Sequence, residues 1–276
     1  MPDKVEFWIT DQDISDVFSG NFWNNEEIEK TKSFYIINGN ADRLTQLLRD
    51  KTTLWEEFED IIRFTGSLGL EIKGVGLDLA AGVCWSTALL SRIETVKKIY
   101  AVEISKHRLL KIAPLVLGFL NAESDKIIRV IGDFYNIKLE DNSIDFCFMS
   151  QAFHHANNPG KLLKEVFRIL KPGGFILLIG ESPILFRQFV IKYVKNFTKI
   201  VVPFLKYKSK PVKKLFIGFN ELYPPDEESG DHYYRTKDYL NIFRSNNYSI
   251  YFHKNRCYTT FLAVKREDNF KEANQK

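Results

Sequence analysis

The sequence predicts an α/β fold: a doubly wound, mostly parallel sheet of seven strands, with a helical N-terminal cap and a second cap inserted after the fifth strand. Three observations predict it. Short apolar runs alternate with helical stretches from residue 74 to residue 182. Turn residues bound each run. Two further β-rich runs near the C-terminus flank the short turn "NRCY". Strand–helix alternation implies a parallel sheet covered on both faces. Near-continuous apolar strands are those buried on both sides.

The elements follow in order. Residues 1–20 have no clear period and read as loose chain. Residues 24–34 and 41–65 read as helices. In the second, Leu44, Leu47, Leu48, Leu54, Trp55, Phe58, Ile61 and Ile62 follow a 3.6-residue stripe. "TGSLG" ends it. "GVGLDLA" is the first strand and "CWSTALLSRI" its helix. "KKIYAVEI" is the second strand. "SKHRLLKIA" is a helix that Ser105 can cap and Pro114 kinks or ends. "KIIRVIGD" and "SIDFCFMS" are the third and fourth strands, and "NPGKLLKEVFRIL" is a helix. "KPGG" is a turn before the fifth strand, "FILLIGES". "TKDYLNIFRSN" is the last helix, and "YSIYFHK" with "TTFLAVKR" is an antiparallel edge hairpin. The expected division is an N-terminal cap over 1–70, a core over 71–182, an inserted basic and aromatic cap over 183–230, the C-terminal part of the core over 231–266 and a tail over 267–276.

Composition narrows the function classes. The chain has 276 residues, 45% hydrophobic and 27% charged, ordinary for a globular protein. A net charge of +4 without a basic stripe disfavours nucleic acid as a partner. Cys84, Cys147 and Cys257 are far apart, without a CxxC pair, which fits a reducing, cytoplasmic location and no structural zinc. The acidic start "MPDKVEFWITDQD" lacks the apolar region of a signal peptide. No uncharged apolar stretch reaches the roughly 20 residues of a membrane span. The sequence sets no oligomeric state.

In an open parallel sheet the ligand lies outside the carboxyl ends of the strands, so the turn after the first strand is decisive. Here that turn is "AAGVC", with the single glycine Gly82. The dinucleotide pattern GxGxxG is absent, and Gly74 and Gly76 precede the strand instead of following it. A nicotinamide cofactor is therefore disfavoured. A nucleoside cofactor without phosphates needs fewer glycines. Glu103 ends the second strand, 21 residues after Gly82, at the spacing of a ribose-binding carboxylate.

Four segments together resemble a class I S-adenosylmethionine-dependent methyltransferase of the small-molecule, methyltransferase-11 type. They are "LDLAAGVC", "YAVEIS", the stretch from "VIGDFYNIKLEDNSID" through "FCFMSQAFHHANNPG", and "KLLKEVFRILKPGGFILL". The resemblance covers roughly residues 73–182 and implies a Rossmann-like fold and the cofactor S-adenosyl-L-methionine. It implies that Asp78, Ala80 and Gly82 line the methionine part. Glu103 would bind both ribose hydroxyls and Ile104 pack on the adenine. Asp133 would accept from the adenine amino group, with Phe134 beside it. Ser150 and Gln151 would face the sulfonium. Ala80 and Cys84 depart from the family's alternating glycines. Alanine costs energy there if its φ is positive.

The acceptor end has three candidate groups. His154 and His155 follow the fourth strand and titrate where a general base must. The bland reading is that one of them braces the loop. A metal is disfavoured, because adjacent loop residues rarely converge on one ion and no third ligand is evident. "GDHYYRTKDYL" supplies His232, Tyr233 and Tyr234 at the pocket border or, equally, as packing residues. Tyr35 is a candidate to close over the site from the N-terminal cap. Between Glu181 and Glu221 there is no acidic residue but nine lysines and arginines among apolar and aromatic ones. Such a segment, 183–214, can lie on an anionic membrane surface or cover an anionic acceptor, or simply present a solvated lysine face. The expected activity is methyl transfer to a small molecule of anionic or lipid-like character; the rival is a methyltransferase fold that binds without catalysis.

Overall fold

The computed structural model describes residues 4–17, 19–29, 42–207 and 218–266. Its sheet has eight strands in the order β1-β4-β3-β2-β5-β6-β8-β7. They are β1 (Val5–Phe7), β2 (Gly74–Leu79), β3 (Val96–Glu103), β4 (Ile127–Ile131), β5 (Ile144–Ser150), β6 (Leu170–Ile179), β7 (Tyr248–Lys254) and β8 (Thr259–Lys265). All pair in parallel from β1 to β6; β8 and β7 close the other edge antiparallel. The doubly wound fold and the terminal hairpin stand as expected.

The helices are α1 (Asp11–Asp16), α2 (Gly20–Trp23), α3 (Glu26–Glu29), α4 (Asp42–Gln46), α5 (Leu54–Ser67), α6 (Trp85–Ser91), α7 (Ala113–Phe119), α8 (Pro159–Ile169), α9 (Phe186–Tyr207), α10 (Phe219–Leu222) and α11 (Thr236–Ser245). Side chains alternate across the sheet, as the pleat requires. Phe146 and Phe148 pack with Leu54, Phe58 and Ile61 of α5 on one face. Cys147 and Met149 pack with Leu162, Leu163 and Val166 of α8 and Phe243 of α11 on the other.

Four expectations change. Residues 5–7 are not loose: they form an eighth strand beside β4, and Trp8 continues the pairing by donating to the Ile131 carbonyl. A three-residue strand is too short for a period to reveal. Within 24–34, helix α3 spans Glu26–Glu29, and residues 30–41, including Tyr35, lie outside the described residues. The helix ahead of Pro114 is not an α-helix throughout, although it does end where the proline is expected to end it. The turns before it, His107–Ile112, are wound as a π-helix, and α7 begins at Ala113 with Pro114 in its first turn. Proline is tolerated there because first-turn N–H groups have no intrahelical partner. "KPGG" lies within β6 as an irregularity in its pairing, not as a turn before it. Leu170 pairs with Ile144, and pairing resumes at Phe175 with Phe146.

Candidate functional site

A cavity of about 640 Å³ opens at the carboxyl ends of β2 to β5, within the range of small-molecule sites. The strand order reverses beside β2, so the fold places the crevice where an open α/β sheet binds its ligand.

The β2–α6 turn forms one wall. Ala80, Gly82 and Cys84 have φ of 55°, 56° and 62°, so alternate residues are left-handed. Only Gly82 adopts this without strain. Ala80 and Cys84 each cost roughly 1–2 kcal/mol. Surrounding bonds hold the turn: Ala81 N–H donates to the Val102 carbonyl, Cys84 N–H to the Ala81 carbonyl and Gly82 N–H to Glu103 Oε2 at 2.7 Å. Asp78 lies beneath it, fully buried, and does not line the cavity. It accepts from Ser86 Oγ and Thr87 Oγ1 at 2.7 and 2.6 Å. Burial, aided by the nearby Glu103 charge, outweighs these bonds and pushes its pKa up to about 6.

The other eight residues expected to hold the cofactor, Ala80, Gly82, Glu103, Ile104, Asp133, Phe134, Ser150 and Gln151, all line the cavity. Glu103 accepts from Gly82 N–H through Oε2 and from Ser105 N–H through Oε1. Its carboxylate is thereby fixed at the mouth of the turn. Asp133 accepts from Tyr135 N–H, and burial raises its pKa. Ser150 Oγ is buried with no hydrogen-bond partner. A buried hydroxyl facing a cavity without a partner is costly, which fits a polar ligand there.

His154 and His155 form the opposite wall. His154 Nδ1 lies 3.0 Å from Glu181 Oε2. Glu181 is 2% exposed and also accepts from Ala152 N–H, Phe153 N–H and the Tyr239 hydroxyl. Burial alone would lower the His154 pKa and raise that of Glu181. Their mutual attraction wins in both, so His154 is raised and Glu181 lowered. With Nδ1–H committed to Glu181, neutral His154 carries its lone pair on Nε2. His155 Nδ1 lies 2.9 Å from Asp231 Oδ1, and Trp23 packs edge-on against its ring at 5.0 Å. Burial lowers the His155 pKa despite Asp231.

His232, Tyr233 and Tyr234 stand behind this wall rather than in it. His232 N–H donates to the His154 carbonyl, tying the two loops together. Tyr234 packs on Phe153 and Tyr239, and Tyr233 is 42% exposed. The N-terminal segment brings Val17, Ser19, Phe22 and Trp23 over the cavity. Trp23 Nε1 donates to the Ser229 carbonyl, and the Arg108 guanidinium lies over its ring at 4.7 Å. The sequence pointed to none of Trp23, Arg108, Glu181 or Asp231. Glu181 had one available signal, since it follows a strand whose carboxyl end faces the crevice.

A family model described as a methyltransferase domain matches residues 77–178. That stretch of the chain is similar to a methyltransferase domain. The matched region runs from within β2 to near the end of β6, and so carries most of both cavity walls. The chain is 23% identical over 231 residues to demethylmenaquinone methyltransferase of Staphylococcus aureus, covering 79% of this chain and 87% of that one. It is 23% identical over 174 residues to the mitochondrial 2-methoxy-6-polyprenyl-1,4-benzoquinol methylase of Caenorhabditis elegans, covering 59% of this chain. The chain spans just over half of the worm protein, 57% of its length. Among solved structures, magnesium protoporphyrin IX methyltransferase from Synechocystis, with bound SAH, matches with a TM-score of 0.55 at 12% identity, over 89% of this chain and 97% of that one. The fold is the Rossmann-like fold of S-adenosylmethionine-dependent methyltransferases, with one strand added at the edge.

Outside the domain, α9 leaves Phe186, Val190, Val194 and Phe197 exposed, the first at 81%. Its other side stacks Phe189 on Phe219, and Lys192 lies over Tyr223. Among the described residues, no helix is long and apolar enough to cross a membrane.

Proposed function

We propose that the protein transfers a methyl group from S-adenosylmethionine to a small, lipid-like or anionic acceptor. The observation that carries this is the cavity itself, which sets Glu103, Asp133 and the unpartnered Ser150 hydroxyl on one side and His154 on the other. Bound S-adenosylmethionine supplies an activated methyl group on a sulfonium sulfur. Glu103 would hold the ribose hydroxyls, Asp133 the adenine amino group, and Ala80 and Gly82 the methionine part. Ser150 and Gln151 would position the reacting end. Asp78 would act from beneath, fixing the turn through Ser86 and Thr87.

His154 would take the acceptor's proton at Nε2, oriented by Glu181 at Nδ1. His155 and Trp23 would exclude water and align the acceptor. The two relatives are named for a polyprenyl benzoquinol and for demethylmenaquinone, which fits a lipid-like acceptor. The exposed apolar stripe of α9, set among lysines, would rest on an anionic membrane surface from which such an acceptor is drawn. The unpaired cysteines fit a cytoplasmic setting.

The strained Ala80 and Cys84 favour a second reading, a fold that binds the cofactor without catalysis. Methyl-labelled S-adenosylmethionine, offered with polyprenyl hydroquinones and simple phenols, separates the two. Transfer to a hydroquinone, reduced at least 100-fold in His154→Gln, is the expected result. Cofactor binding without transfer to any acceptor would leave the binding role. Flotation with anionic liposomes at low salt, lost in Phe186→Glu, tests the membrane contact.

A further inference from the structure

The two sequence arguments against a metal at the tandem histidines do not hold in the fold. The His154 and His155 rings do not splay apart, because the turn Phe153–His155 sets their centroids 4.3 Å from one another. A third donor is present in Asp231, which reaches the same point from a loop 76 residues further along the chain. His154 Nε2, His155 Nδ1 and Asp231 Oδ1 all lie within 4.8 Å of one another.

We propose that these three atoms bind one divalent transition-metal cation. Donors about 2.1 Å from a shared ion stand about 3 to 3.4 Å apart in neighbouring positions, octahedral or tetrahedral, and about 4.2 Å apart at most. The observed separations from Asp231 Oδ1, 2.9 Å to His155 Nδ1 and 4.0 Å to His154 Nε2, lie within the span that one shared ion can bridge. The 2.9 Å pair is not aligned as a hydrogen bond, and His155 Nδ1 is buried without such a partner. Behind His154, Glu181 accepts from Nδ1 and fixes the ring with Nε2 toward Asp231. This is the carboxylate–histidine arrangement that orients metal-ligating imidazoles. Two imidazoles with one carboxylate suit zinc, manganese, iron or cobalt, and not an ion such as calcium that demands oxygen donors. Asp231 and Glu181 together balance the charge of a divalent ion. All three residues line the cavity. A cation there takes the Nε2 lone pair that the acceptor's proton would meet, so the metal-loaded and base-competent states exclude one another.

The test needs neither cofactor nor acceptor, so it stands apart from methyl transfer. Tag-free, chelator-treated protein is titrated calorimetrically with Zn²⁺, and Co²⁺ is added in parallel to read its visible d–d bands. One Zn²⁺ per chain at micromolar affinity or tighter is expected. Asp231→Asn and His155→Ala should each weaken it by at least about tenfold, and Glu181→Gln by less. Co²⁺ bands should appear in the wild type and vanish in Asp231→Asn. A wild-type-like circular dichroism spectrum and cooperative thermal melt show that each variant is folded. Absence of Zn²⁺ binding, or equal binding by wild type and a folded Asp231→Asn, would overturn the proposal.

Discussion

The proposed cofactor end of the cavity hangs largely on backbone, whereas the proposed acceptor end hangs on side chains. At the first, the left-handed turn at Ala80–Cys84 is pinned by amide groups, with Glu103 reaching back to Gly82. All its parts lie between residues 78 and 151 and follow strand ends in order. At the second, Trp23, His154, His155, Glu181 and Asp231 converge from segments more than 200 residues apart. Their geometry depends on one buried carboxylate, Glu181, that serves four donors. A backbone-built end should tolerate substitution of its side chains better. A side-chain-built end is tunable, and sensitive to single losses.

That contrast can be broken most forcefully at Glu181. Glu181→Ala leaves two buried N–H groups, the Tyr239 hydroxyl and His154 without their acceptor. Urea denaturation should show a loss of about 3–5 kcal/mol, against about 1–2 for Glu181→Gln, which keeps an acceptor oxygen. Equal, small losses would mean that the carboxylate does not organise the acceptor end.

Asp78 sharpens the comparison from the other side. Its pKa is near 6 in the folded protein, against an ordinary 3.8. The unfolded chain therefore releases this proton first. Asp78 costs nothing at low pH, and its penalty grows as pH rises from about 4 to about 6 and is complete above that. The stability of wild type relative to Asp78→Asn should fall by about 3 kcal/mol over that window. A flat difference would remove the burial argument. The smallest effect is expected at Ala80→Gly, where relief of the left-handed strain is partly cancelled by glycine's greater chain entropy. The net gain is under about 1 kcal/mol, read as a small rise in Tm.

The cavity wall at the strand ends was legible in the sequence because its residues sit at strand ends, and strand ends can be counted. Eight of the nine residues read there line the cavity. Asp78 was placed one layer too high, since its position in the motif says nothing of which way a buried side chain turns. The acceptor end was legible only as far as the tandem histidines. His232 and the two tyrosines drew attention by their chemistry, while Asp231, one residue earlier, is the side chain that reaches the cavity. Partners brought together by tertiary packing leave no spacing to read, and neither does the short strand β1.

Calorimetric titration with S-adenosylhomocysteine, of the wild type and of Glu103→Ala, tests the central assignment most directly. Micromolar binding, weakened about 10- to 100-fold by removal of the carboxylate, is the predicted result. Absence of binding by folded wild-type protein, or binding indifferent to Glu103, would contradict it.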